Sequence, residues 1–421
     1  MTTSPSWSAD RLRFVFSRIK ERLWVRPLAL CVLSIGGTFI AMLADDSGLS
    51  RVLPEVTLKS VESLLSIMAS SMLVIATFAV GSMVAAYASA STGSTPRSIP
   101  LIIADDVTQN ALSAFIGAFI FSIVSLIAIQ NDLFESAGRF AIFVLTLLVF
   151  TIVIITFVRW VDRIARLGRV VNTIEQVEKA ARDALDRRRH APTLGALAIS
   201  PDHAGDTGVP VCSTTVGYVQ HIDLQALQSV AEALNCRMMV TALPGKFVTT
   251  HQPLLRIEGC TETFKPDTAT RAFTISSNRT FEDDPRFGLI ALSEIADKAL
   301  SPGVNDPGTA IDVIGTLVRL FTLWQSPPEK ERLQAITFDR VLVPELAISD
   351  LFDDAFTAIA RDGAGMVEVS IRLQKAFCAL AEINDDAMVA AARKHSRMAL
   401  ARSEHALSLQ EDIEAVRRAA P

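Results

Sequence analysis

Four long apolar runs fill the first third of the chain, at residues 27–43, 61–87, 111–129 and 140–158. A transmembrane helix needs roughly 20 predominantly apolar residues, within a range of about 17–25. The first run sits at the short end of that range, the second exceeds it and is expected to project beyond the hydrocarbon, and the last two fit. None carries a charge in its middle, although Glu62 stands at the mouth of the second. The pattern predicts four transmembrane helices. Beyond them, Ile164, Leu167, Val171, Ile174, Ala181 and Leu185 continue an apolar seam at helical spacing through charged residues to about Arg189, which predicts a connecting helix.

The next stretch, to Pro210, is rich in Pro, Gly, Ala and Asp and reads as a linker. The period then shortens. Strands are predicted at 211–219, 236–243, 254–257 and 272–276, a helix capped by Asp223 at 224–234, and a turn at Pro244–Gly245–Lys246. Helices are predicted from about Arg286 to Leu300 and from about Gly308 to Leu323, and again from Pro344 to the end. The fold class is thus a mainly α membrane protein with an α+β cytoplasmic domain. The expected parts are an amphipathic N-terminal segment (1–26), a four-helix transmembrane domain (27–158), a connecting helix (159–190), a small β-rich module (191–278) and a helical domain (279–421).

Composition supports the division. The chain has 421 residues, half of them hydrophobic, and a mean hydropathy of +0.35. Residues 1–158 hold 10 Lys/Arg and 10 Asp/Glu, whereas residues 159–421 hold 30 and 35 and supply the whole net charge of −5. No strongly basic stripe exists, so nucleic acid is not an expected partner. Eleven basic residues flank the spans on one side (Arg11, Arg13, Arg18, Lys20, Arg22, Arg26, Arg97, Arg159, Arg163, Arg166 and Arg169), against Arg51, Lys59 and Arg139 on the other. That asymmetry places both termini in the cytoplasm. The five cysteines form no CxxC pair and read as free thiols rather than a disulfide framework.

Candidate chemistry is sparse. Ser63, Ser66, Ser70, Thr77 and Gly81 fall within about 60° of one another on the second span. Asp106, Asn110, Ser113 and Gly117 form a similar stripe entering the third. Such stripes suit either close helix packing or a hydrated conduction path. No Asp, Glu, Lys, Arg or His lies deep in a span, which weakens an ion-coupled carrier. In the C-terminal half, Arg279, Asp283, Asn305 and Asp306 are candidates to converge on a ligand. The competing account is structural: Pro302 and Gly303 stop one helix, and Asn305 or Asp306 caps the next ahead of Pro307. No phosphate loop, HExxH, nucleophile elbow or metal-spaced His/Cys cluster is present. No cofactor, metal or catalytic residue is expected, and an enzyme is not.

Several motifs carry a resemblance. These are Thr95–Pro96–Arg97 with Asp105 or Asp106, Gln109 and Ala111 to Gly117; Gly217–Tyr218–Val219–Gln220; Pro244–Gly245–Lys246–Phe247–Val248; and, most specific, Ala299–Leu300–Ser301–Pro302–Gly303–Val304–Asn305–Asp306–Pro307–Gly308–Thr309–Ala310. Over most of its length the chain resembles a family of bacterial predicted membrane proteins, domain of unknown function 2254. The resemblance implies a multi-pass inner-membrane protein and supplies no reaction or substrate. The leading expectation is an oligomeric, channel-like protein regulated by its cytoplasmic domain, with the bilayer, further copies of itself and an ion or small molecule as partners. The alternative is a membrane-anchored sensor or scaffold whose cytoplasmic domain binds a ligand or protein.

Overall fold

The computed structural model describes residues 25–43, 54, 56–93, 95–103, 106–166, 170–199, 208–259, 266–326 and 335–421. The expected N-terminal segment up to residue 24, most of the first outer loop, the junction 167–169 and the linker centre 200–207 lie outside the described residues. The chain divides after Asn172 into two compact units.

The first unit is helical. Its elements are α1 (Val25–Leu43), α2 (Leu58–Gly93), the short α3 (Ile99–Ile103), α4 (Asp106–Gln130) and α5 (Ser136–Arg166). Three stretches, Leu58–Ser89, Ile99–Gln130 and Ser136–Ile164, are long and apolar enough to cross a membrane, while α1 contributes the shorter apolar helix Val25–Ala41. The helix α4 is central, with α1, α2 and α5 packed around it. The core gathers Leu65, Met68 and Met72 of α2, Phe115 and Phe121 of α4, and Ile142 and Trp160 of α5. Trp160 is enclosed edge-on by Phe78 and Phe115, with ring centroids 6.2 and 6.1 Å away. The outer surface is also apolar, with Val32, Phe39, Val74, Leu148, Ile152 and Ile155 exposed. A bundle apolar on both its inner and outer faces has lipid, not water, as its solvent. Several buried hydroxyls bond within their own helices: Ser113 donates to the Gln109 carbonyl at 2.6 Å and Thr146 to that of Ile142 at 2.7 Å.

The second unit mixes sheet and helix. After α6 (Val170–His190) come β1 (Ala196–Ala198), β2 (Val209–Cys212), β3 (Gly217–Ile222), α7 (Leu224–Ala233), β4 (Arg237–Val240), β5 (Phe247–Val248), β6 (Pro253–Glu258), α8 (Pro266–Thr270) and β7 (Phe273–Ser276). Then follow α9 (Pro285–Leu300), α10 (Pro307–Gln325), β8 (Phe338–Val343), α11 (Ile348–Asp362), α12 (Val367–Ala381), α13 (Asp386–Ala406) and α14 (Gln410–Ala419). One sheet has the order β1-β8-β4-β6-β2 and the other β5-β3-β7. Asp223 caps α7, accepting from Ala226 N at 3.0 Å.

One difference from the expected layout matters. The helical domain expected over residues 279–421 contains β8, in the stretch between its predicted helices; β8 pairs in parallel with β1 on one side and β4 on the other. The larger sheet is therefore built from both predicted modules. Leu227, Met238, Leu254, Leu255 and Val341, all fully buried, form its core with α7. In the helical layer, Phe321, Phe352, Phe356 and Phe377 stack in one aromatic cluster. Arg286 locks α9 to α11 by donating to Asp350 at 2.8 Å and to both oxygens of Asp354. Gly288 of α9 meets α6 so closely that a Cβ there would overlap Ala181.

Candidate functional site

The two polar stripes of the first unit have different fates. On α2, the buried face is Val61, Leu65, Met68, Met72, Ala76, Ala79 and Met83. Ser63, Ser66, Ser70, Thr77 and Gly81 all lie on the opposite, exposed face. Ser70 donates to the Ser66 carbonyl at 3.0 Å and Thr77 to that of Leu73 at 2.8 Å, and a Cβ at Gly81 would meet nothing within 4 Å. Among the described residues this stripe takes no part in packing.

On α4 the stripe does pack. Ser113 and Gly117 are buried. A Cβ on Gly117 would come within 3.1 Å of Leu30, and Ser34 of α1 donates to the Gly117 carbonyl at 3.0 Å. Farther along, Thr38 and Ser125 join across the same contact at 3.2 Å. Small residues here let α1 and α4 approach and bond. Asn110, at the exposed end of the stripe, accepts from Arg26 at 2.9 Å. Gln109 is buried and donates to the Ile103 carbonyl at 3.1 Å, tying α4 to α3. Pro96 and Arg97 are exposed in the turn before α3, and Asp106 is the first residue of α4.

The motif from Ala299 to Ala310 is a helix corner. Asp306 caps α10, accepting from the Thr309 amide at 3.1 Å and the Thr309 hydroxyl at 2.6 Å. Those bonds hold its carboxyl below the usual carboxylate range. Pro307 follows at the first turn. Asn305 takes a left-handed φ of 51°, and its amide and that of Asp306 reach back to the carbonyls of Ser301 and Ala299 at 2.9 and 2.8 Å. The Ser301 hydroxyl closes α9 on the Lys298 carbonyl at 2.7 Å. Pro302, Gly303 and Val304 form the exposed tip.

The candidate four-residue convergence does not occur. Arg279 and Asp283 precede α9, whereas Asn305 and Asp306 follow it. Sixteen helical residues put roughly 24 Å between the two ends.

Arg279 and Asp283 instead belong to a different cluster, assembled from distant segments. The Arg279 Nε donates to Asp284 at 2.6 Å, and its guanidinium lies 6.0 Å from the Tyr218 ring and 5.3 Å from that of Phe287. Asp284, 2% exposed, also caps α9 through the Phe287 amide. Burial pushes its carboxyl above the ordinary range, and Arg279 opposes the shift. Next to it, His221 Nδ1 meets Asp283 at 2.6 Å. Arg188 of α6 is 4% exposed, and burial pulls its pKa down to about 10 against the charges of Asp283, Glu345 and Asp284. It donates to the Pro344 carbonyl at 3.3 Å. Gln220 donates to the Asn278 carbonyl at 2.6 Å.

Bonds from His221 and Gln220 tie the three-stranded sheet to the segment leading into α9, and Arg188 of α6 adds a buried charge beside them. The cluster's chemistry is that of a staple, with paired charges and no uncommitted nucleophile among the named groups. Sequence reading singled out Arg279 and Asp283 but missed Asp284, Tyr218, His221 and Arg188, and Gly245, where a Cβ would overlap the Asp284 carboxylate. The one local signal was Asp284–Pro285, the cap and first-turn proline of a helix.

Comparison with known proteins adds the following. An uncharacterized protein of Mycobacterium bovis and another of Mycobacterium tuberculosis are each 32% identical to this chain over 112 residues, which is 25% of this chain and 22% of the relative. The chain thus matches about a fifth of the length of these curated relatives. No solved structure matches. The family model described as predicted membrane protein (DUF2254) matches residues 20–379. Matched across both the apolar bundle and most of the mixed α/β unit, this chain belongs to that family of membrane proteins.

Proposed function

We propose that this chain forms a channel-like homo-oligomer in a bacterial inner membrane, with the C-terminal unit regulating passage. The observation that supports this is the outward placement of the α2 stripe. The Ser70 and Thr77 hydroxyls are bonded back to their own helix, so lipid would tolerate them. Lipid alone gives no reason to gather them on one arc of about 60°. A neighbouring copy, or a wet axis shared between copies, gives one. In this reading α1 is the fourth span, tilted little because its apolar length is short. The bias of basic residues puts both termini and the C-terminal unit in the cytoplasm. The absence of deep charge favours a passive path over a coupled carrier.

The test is ion flux through liposomes containing the purified protein. Ser66→Leu and Ser70→Leu should reduce flux while leaving the fold intact, because neither position packs within the chain. Liposomes that stay ion-tight at every voltage and tension applied would defeat the proposal.

A further inference from the structure

The C-terminal unit carries a cleft of about 250 Å³ between the β2 edge of the larger sheet and the β7 edge of the smaller. Leu254 of β6 and Phe273 and Ile275 of β7 are the apolar residues that line it; Leu254 and Phe273 are buried and Ile275 is half-buried. Its rim carries Thr214, Thr215 and Arg271. Among the described residues no intramolecular partner engages the Arg271 guanidinium or the Thr214 and Thr215 hydroxyls.

Both sides of the rim are fixed by backbone bonds. The Thr215 amide donates to the Ser213 hydroxyl at 3.1 Å, and that hydroxyl donates back to the Thr215 carbonyl, forming a closed turn. Across the cleft, the Ala272 amide bonds the Ala269 carbonyl at 3.1 Å, and the Ala272 carbonyl accepts from Asp223 at 2.8 Å. The exposed residues that carry the cation and the hydroxyls are therefore held on fixed backbone beside Phe273 and Ile275.

We propose that this cleft binds a small organic anion. Its carboxylate or phosphate group rests on Arg271 and the Thr214–Thr215 rim, and a short apolar body lies on Phe273 and Ile275. A guanidinium is always charged and presents a planar fork that suits either head group. The volume lies below that of a drug-sized site, which is about 300–1,000 Å³, so the ligand is small. A pure inorganic ion would leave the apolar lining unused.

The experiment is calorimetric titration of the full-length protein in nanodiscs with butyrate, butyl phosphate and inorganic phosphate at constant ionic strength. Saturable binding of at least one alkyl anion is expected, weakened about tenfold or more in Arg271→Gln. Butyl phosphate should bind more tightly than inorganic phosphate wherever phosphate is the preferred head group. The Thr214→Val/Thr215→Val variant should weaken binding too, with an unchanged apo melting temperature. Binding by butyrate alone assigns a carboxylate ligand, and binding by butyl phosphate alone a phosphate. No binding by any probe, or equal binding in Arg271→Gln, overturns the proposal. The readout does not involve flux, so it stands or falls apart from the channel reading.

Discussion

A side chain on residue 245 would have to occupy the place of the Asp284 carboxylate: a Cβ built on Gly245 falls 2.3 Å from Asp284 Oδ2. Gly245 also has a φ of 91°, a conformation that L side chains rarely adopt. Both constraints act at the turn that carries β5 against β3, where the Gly245 amide bonds the Val219 carbonyl at 2.8 Å. Gly245→Ala is expected to destabilise the C-terminal unit by about 2 kcal/mol or more. Thermal unfolding read by circular dichroism, alongside Gly303→Ala as a control at a position with open space, checks it.

Removing Arg279 leaves the buried Asp284 carboxylate without the cation bonded to it. Breaking a buried pair from one side costs about 3–5 kcal/mol. Arg279→Ala should therefore be among the most destabilising single changes in the chain. Arg279→Ala/Asp284→Asn should recover part of the loss, because no uncompensated charge remains. A double-mutant cycle on urea unfolding measures the coupling, and additive losses would remove the pair from the stability account.

Asp297 of α9 faces Asp362 and Arg361 at the end of α11. Burial and the neighbouring Asp362 carboxyl push its pKa up to about 6 from 3.8. The folded state then holds this proton more tightly than the unfolded chain does. Its stabilising contribution is present below the unfolded pKa and is lost as pH rises through about 6. Melting temperatures from pH 4 to 7 should show Asp297→Asn gaining on the parent as pH increases. Parallel curves would remove Asp297 as the source.

Two glycines separate packing within the chain from packing outside it. Gly117→Leu pushes Leu30, and α1 with it, away from α4 and should cost about 1–3 kcal/mol of bundle stability. Gly81→Leu meets nothing in its own chain and should leave that stability unchanged. Under the oligomer proposal, it should instead alter the cross-linked species seen in membranes. An unchanged cross-linking pattern would place Gly81 against lipid.

Much of this architecture could be read from residue order, for local reasons. The cap at Asp223, the stop ahead of Pro302 and Gly303, and the cap expected of Asn305 or Asp306 depend on near neighbours; they form, with Asp306 as the cap. The α2 stripe was legible as an arc but not as inward or outward, since helical spacing carries no information about neighbouring helices. The Arg279 cluster was only half visible because Tyr218, Gly245 and Arg188 reach it from 34 to 91 positions away. Strand β8 was missed because Asp339 and Arg340 interrupt a six-residue segment. Its two-sided pairing with β1 and β4, not its own alternation, makes it a strand.

That pairing sets an order of events during synthesis. The ribosome delivers β1, β4, β6 and β2 well before β8, yet β8 sits between β1 and β4. The larger sheet stays split until Val343 has emerged, with two strand edges waiting. The apolar helices, complete by residue 166, can enter the bilayer while that split persists. A nascent chain arrested before residue 338 would thus be membrane-inserted yet protease-sensitive beyond the bundle, and a chaperone has its window there.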